Sequence, residues 1–180
     1  IDRVFLTWYS PEALAAAAPA GMANFTLFSL LIGIASYVNT FVAQYHGAGR
    51  PERIGRSVWQ GIYFSLVALL IAVVIWPLAD DLFRFFGHAP EVQEMEVVYF
   101  RILAVGAPAV VISNAISGLF SGLGKTWIIF WVNFAATLIN MVLDYLLIFG
   151  KMGLPGMGIA GAAWATVAAC FFPAPVFAGI

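Results

Sequence analysis

Two acidic residues, Asp2 and Asp144, stand within apolar stretches of this 180-residue chain. A carboxylate inside a membrane helix costs about 3 kcal/mol on insertion scales, so such residues usually face a cavity, a partner or an ion path. Asn140 lies one helical turn from Asp144 on the same face, and Thr166 follows in the next apolar stretch. Carboxylate, amide and hydroxyl oxygens suit an alkali cation, and a buried pair of acids also suits proton exchange, because burial and a nearby like charge favour the protonated form.

The depths of these side chains predict that they meet. Counted at about 1.5 Å per residue from the nearest polar end, Asp2 and Asp144 both lie roughly 10 Å below one membrane surface, and Thr166 reaches a similar depth. We therefore predict one site in the outer half of a helix bundle. The alternative is that each acid is neutralised separately, Asp2 by its neighbour Arg3, and only supports the fold.

The composition indicates the elements that position such a site. The chain is 63% hydrophobic and 9% charged, with a net charge of -1. A water-soluble domain has about a quarter of its residues charged, so most of this surface must face lipid. The same figures exclude a disordered chain and a basic nucleic-acid-binding protein. The single cysteine, Cys170, forms no internal disulfide.

Charged residues divide the chain into segments of membrane length, since about 20 apolar residues cross the hydrocarbon core. The uncharged or nearly uncharged segments are 13–49, 57–79, 102–124, 126–150 and 152–180. They predict five membrane helices, preceded by residues 1–9 as the tail of a truncated helix. Pro19 and Gly21 predict a tilt or kink in the first long helix, and Pro173 predicts a break in the last.

Pairs of small residues at helical spacing predict close helix packing. These pairs are Gly118 with Gly122 and Gly161 with Ala165.

Motifs of soluble enzymes are absent from the sequence. Gly124-Lys125-Thr126 resembles the end of a phosphate-binding loop, but the required glycine five positions earlier is missing and no strand precedes it. His46 and His88 are predicted to be solvated loop residues. The sequence therefore predicts no enzyme and no cofactor.

Three segments resemble the multidrug and toxic compound extrusion (MATE) transporters. They are the segment around Asp2, the loop from Gln44 to Arg50, and the stretch from Asn140 through Gly150 to Thr166. The resemblance implies an all-α integral membrane protein in which residues 1–180 form a six-helix lobe, with its first helix truncated. This N-terminal lobe would be half of a pseudo-symmetric twelve-helix transporter whose C-terminal lobe is absent.

The resemblance also implies an activity and a site. Family membership would make the protein a multi-pass antiporter of the inner (plasma) membrane, exporting cationic or amphiphilic drugs and xenobiotics in exchange for H⁺ or Na⁺. The implied partners are these small molecules and membrane lipid, without nucleic acid, and transport would need the C-terminal lobe. The implied cation- or proton-binding residues are Asp2, Asn140, Asp144, Thr166 and the carbonyl of Ala162.

Three alternatives stay open at this point. A related flippase for lipid-linked sugars would carry cationic residues facing its cavity, whereas Arg3 and Arg101 lie only at the membrane margins. An integral-membrane enzyme would need a nucleophile–base or metal cluster. A structural membrane subunit would leave Asp2 and Asp144 unexplained.

Loop charge predicts the orientation, because basic loops stay cytoplasmic. Arg50, Arg53, Arg56 and Lys125 should be cytoplasmic and the acidic segment 80–96 external. With Cys170→Ala as background, an Arg53→Cys variant should react with a thiol reagent only after the membrane is made permeable. Labelling of position 53 from outside would reverse the orientation.

Overall fold

The structure is a computed structural model and describes residues 2–153 and 155–180. Within these residues the chain forms eight α-helices: α1 (Asp2–Tyr9), α2 (Pro11–Ser36), α3 (Val38–Gly47), α4 (Ile54–Phe86), α5 (Pro90–Gly122), α6 (Thr126–Phe149), α7 (Gly158–Phe171) and α8 (Pro173–Ala178). A 3-10 turn at Pro51–Arg53 precedes α4. Five stretches are long and apolar enough to span a membrane: Pro11–Gly47, Pro51–Phe86, Pro90–Gly122, Thr126–Phe149 and Gly158–Ala178. The predicted five spans, preceded by a short helix, are confirmed.

The first long span is divided into two helices at Tyr37, an interruption that the sequence did not predict. The helix continues through Pro19 and Gly21 and ends at Ser36, and α3 begins two residues later, after Tyr37. Since no proline or glycine stands at the interruption, local sequence gives little sign of it.

Glycines on α5 let α3 pack closely against that helix. A Cβ added at Gly122 would stand 2.7 Å from the carbonyl oxygen of Asn39, and one at Gly118 would stand 3.0 Å from the amide nitrogen of Asn39. The predicted role of this small-residue pair in helix packing is confirmed. With α3 on one side and α2, α4 and α7 on others, α5 is the central helix of the bundle.

The predicted acidic loop at 80–96 is wrong, because this segment is the tip of a helical hairpin. α4 continues to Phe86 and α5 begins at Pro90, so only Gly87–Ala89 lie outside the helices. Gly87 has a left-handed φ of 69°, which glycine adopts without strain at a helix end. Each helix has 33 residues and is about 50 Å long, which exceeds the hydrocarbon thickness of about 30 Å. The charges therefore lie on helix ends that extend into water.

Both histidines are exposed, as predicted, and His88 lies in the short loop between α4 and α5. His88 is paired, with its Nδ1 2.7 Å from Oε1 of Glu96, whose side chain is fully buried. His46 lies in the last turn of α3 rather than in a loop.

The contact between α6 and α7 sets the position of the predicted site residues. A Cβ added at Gly161 would stand 2.7 Å from the backbone carbon and oxygen of Leu147, so this glycine lets the two helices touch. α7 ends at Phe171, where Pro173 starts α8, and the predicted break at this proline is confirmed.

A methyl group at Gly161 should separate α6 from α7. We expect Gly161→Ala to destabilise the protein by about 1–3 kcal/mol, because overpacking against backbone atoms forces the helices to shift. Gly21→Ala is the matched control, since a Cβ there meets nothing within 4 Å and alanine favours helix. Thermal unfolding in detergent measures both, and equal stability of the two variants would contradict the role assigned to Gly161.

Candidate functional site

The Asp2 carboxylate joins three helices. Its Oδ2 accepts a hydrogen bond from the Thr166 hydroxyl at 2.6 Å and one from the Tyr99 hydroxyl at 3.3 Å. These donors lie on α7 and α5, while Asp2 opens α1. A short O–H···O⁻ bond of this kind is stronger than a neutral hydrogen bond, so the Thr166 contact fixes the position of the carboxylate.

Asp144 lies beside this group and is fully buried on α6. Its carboxyl group is within interaction distance of the Asp2 carboxyl. Neither oxygen of Asp144 receives a hydrogen bond from the described residues. Two ionised carboxylates only accept, so their contact becomes a hydrogen bond when one of them holds a proton. A cation between them would satisfy both.

A cavity of about 490 Å³ opens beside the acids, between α5, α6 and α7. Its polar lining residues are Asp2, Ser113, Asn114, Asn133, Thr137, Asn140 and Thr166. Hydroxyl and amide groups therefore dominate the polar part of the wall. Asp2 is the charged residue of this lining, and within the part of the chain that the structure describes no Lys or Arg lines the cavity.

The structure brings most of the predicted site residues together. Asp2 and Thr166 are in direct contact, Asp144 adjoins Asp2, and Asn140 lines the same cavity. Ala162 is fully buried on α7, one turn from Thr166 towards the start of that helix. It stands in the same region, but no polar contact to its carbonyl ties it to the acids.

The alternative in which Arg3 neutralises Asp2 has no support. The Arg3 side chain is exposed, and the ion pairs found among the described residues do not include it. The hydrogen bonds of Asp2 come instead from neutral hydroxyl groups on other helices.

Tyr99 belongs to the site but was missed by sequence reasoning. It lies outside the uncharged segment 102–124, close to Arg101, and such a position suggests an interfacial tyrosine. It is buried on the side of α5 that faces Asp2, and its hydroxyl donates to that carboxylate.

Comparison with known protein families identifies the family of this chain. The family model described as MatE matches residues 1–146. The chain belongs to the MatE family.

Curated relatives of this MatE chain include two multidrug resistance proteins. A protein described as probable multidrug resistance protein NorM, from Neisseria meningitidis serogroup A, is 30% identical over 175 residues, which cover 97% of this chain and 38% of the relative. Multidrug resistance protein PmpM from Pseudomonas aeruginosa is 30% identical over 173 residues, covering 96% and 36%. Both names describe multidrug resistance proteins, and neither names an enzyme. The chain spans less than two fifths of the length of these relatives.

Solved structures confirm the fold as a helical lobe. A structure described as the outward-facing conformation of a multidrug resistance MATE family transporter matches with a TM-score of 0.89 at 25% identity, over 98% of this chain and 39% of the other. A MOP superfamily transporter from Pyrococcus furiosus, whose binding pocket is described as having reverse polarity, matches with a TM-score of 0.83 at 25% identity, over 98% and 38%. The predicted transmembrane lobe within a larger transporter fold is therefore confirmed.

The bond between Thr166 and Asp2 should be measurable by a double-mutant cycle. We expect Thr166→Val and Asp2→Asn to show a coupling free energy of about 1.5–3 kcal/mol in unfolding measurements, because the bond is to a charged acceptor. Thr26→Val is the matched control, since the Thr26 hydroxyl donates to the Met22 carbonyl of its own helix. Equal coupling of Asp2 with both threonines would contradict the direct bond.

Proposed function

We propose that the protein is a cation-coupled antiporter that exports cationic or amphiphilic compounds, drugs and xenobiotics among them, in exchange for H⁺ or Na⁺. Residues 1–180 would be its N-terminal lobe and would work with a second, C-terminal lobe in the plasma membrane. The observation that carries the proposal is the pairing of the buried Asp144 with Asp2, which lines a cavity whose other polar side chains are hydroxyl and amide groups.

The charge of the cavity supports a cationic cargo. An acidic group beside a low-dielectric wall attracts positive ions and repels anions. The polar neighbours of Asp2 are hydroxyl and amide groups, whose oxygens suit alkali cations. These groups can both donate and accept hydrogen bonds, so they can contact either the coupling ion or a cationic compound. A cationic compound and the coupling ion can then compete for the same carboxylates.

Coupling follows from that competition. Two carboxyl groups in contact are most stable when they share a proton or a cation, because burial and mutual repulsion both oppose two free charges. Binding of the coupling ion would release an exported cation from Asp2. We assign Asp2 and Asp144 to ion binding, Thr166 and Asn140 to completing the oxygen ligands, and the Ala162 carbonyl to the shell of a bound sodium ion.

A flippase for lipid-linked sugars is the second candidate and is less well supported. A pyrophosphate group requires cationic side chains, and the charged residue lining this cavity is acidic. Arg101 is paired with Asp80 instead of facing the cavity.

Removing one carboxylate should uncouple export. In proteoliposomes holding the full-length transporter, we expect Asp144→Asn and Asp2→Asn to reduce efflux of a fluorescent cation, driven by an H⁺ or Na⁺ gradient, by about tenfold or more, in line with coupling energies of a few kcal/mol. Asp81→Asn is the matched control, because Asp81 is exposed and pairs with Arg84 on its own helix.

The comparison of gradients identifies the coupling ion, since only the gradient of the coupled ion will drive efflux. Full efflux by both site variants, with the control behaving in the same way, would show that these acids are structural and would reject the proposed site.

A further inference from the structure

A charge pair joins α4 and α5 at one boundary of the membrane. Nη2 of Arg101 lies 2.6 Å from Oδ2 of Asp80, and Nε of Arg101 donates to the carbonyl oxygen of Trp76 at 3.1 Å. Asp80 and Arg101 end the uncharged segments 57–79 and 102–124. Each segment is about 35 Å long as a helix, close to the hydrocarbon thickness. The pair therefore lies where the lipid headgroups meet the acyl chains, on the side predicted to be external.

An apolar groove of about 290 Å³ continues from the charge pair into the membrane. It is lined by Leu69, Ala72, Val73, Trp76, Pro77 and Val105. Val105 lies one helical turn from Arg101, and Trp76 lies one turn from Asp80, so groove and charge pair share one face.

This groove faces away from the candidate cation site. Val105 lines the groove and Asn114 lines the cavity of the site. They lie nine residues apart on α5, which is two and a half turns at about 3.6 residues per turn and places them on opposite sides of the helix. The groove thus opens on the lipid-facing surface.

The charge pair has unused hydrogen-bonding capacity. A guanidinium has five N–H donors, and the described residues accept from Nε and Nη2 of Arg101 while offering no partner to Nη1. Asp80 is half exposed, and its Oδ1 has no donor within residues 2–153 and 155–180. A positive donor and a negative acceptor are therefore offered side by side.

We propose that this groove binds a phospholipid whose headgroup carries both a phosphate and a primary ammonium, as phosphatidylethanolamine does. The phosphate accepts from Nη1 of Arg101, the ammonium donates to Asp80, and one acyl chain fills the groove. An anionic headgroup would face the Asp80 carboxylate without a compensating cation. A choline headgroup would leave that carboxylate without a hydrogen bond, because a quaternary ammonium has no N–H.

Lipid binding to the full-length transporter in detergent tests this site. Native mass spectrometry with phosphatidylethanolamine, phosphatidylglycerol and phosphatidylcholine, each added at equal concentration, should show about tenfold more bound phosphatidylethanolamine, since a hydrogen bond to a charged group has about this effect. Val73→Trp should remove the preference by filling the groove while leaving the charge pair intact. Val74→Trp is the matched control, because Val73 and Val74 are 63% and 64% exposed and only Val73 lines the groove.

A second pair of variants tests the headgroup contact. Asp80→Asn should reduce the preference about tenfold, because Asp80 contacts the ammonium, the group in which the three lipids differ. Asp81→Asn should not, because Asp81 lies on the exposed helix end and pairs with Arg84. Melting temperatures measured without added lipid show whether Asp80→Asn also loosens the hairpin, and Val73→Trp tests the site independently if it does. Equal binding of the three lipids, or equal loss of binding in Val73→Trp and Val74→Trp, would overturn the proposal.

Discussion

The contact between two carboxyl groups inside an apolar bundle constrains the rest of this structure. Transferring a single carboxylate out of water costs several kcal/mol, and a second one alongside adds repulsion. Among the described residues, two hydroxyl groups donate hydrogen bonds to Asp2, and no group donates to Asp144. Among the described residues no Lys or Arg side chain pairs with either acid, so under the proposed function the charge of the pair would be balanced by an exchanging ion. An arginine beside the two acids would stabilise the folded protein. Without one, a bound proton or cation could exchange at the pair.

Such a site requires the helices to be held by something other than its own bonds. Membrane helices lack a strong hydrophobic drive to associate, so close backbone packing has to supply the cohesion. Gly161 lets α7 touch α6, and Gly118 and Gly122 let α3 touch α5. The first contact sets the separation of Thr166 from Asp144, and the second anchors α5, which carries Tyr99. The close packing at these glycines therefore sets the positions of the helices that carry the polar site.

The sequence predicted the meeting of Asp2, Asp144 and Thr166 because two rules are nearly rigid. A helix rises by a fixed amount per residue, and an unpartnered acid in lipid is costly, so equal depth and chemistry were enough. The predictions from sequence were wrong where these two rules do not apply. The charges between Asp80 and Glu96 indicated a loop, but helices continue into water when their polar ends are solvated there. Tyr99 was missed because its place beside Arg101 suggested an interfacial tyrosine. The interruption at Tyr37 was missed because no proline or glycine marks it.

Two kinds of buried or half-buried charge thus coexist in one lobe, and their chemistry separates their roles. The Arg101–Asp80 pair includes a guanidinium, which stays protonated at any physiological pH, so the pair keeps its charges and can only bind or position. The Asp2–Asp144 pair has no Lys or Arg partner among the described residues, so under the proposed function its occupancy would follow the proton or cation concentration on the side to which it is open. A conformational change that alters this access would then convert an ion gradient into a change of site charge, and only the Asp2–Asp144 pair would respond to it. The Arg101–Asp80 pair would keep its charges through such a change, and so would hold the hairpin of α4 and α5 at the membrane boundary while the charge of the acid pair changes.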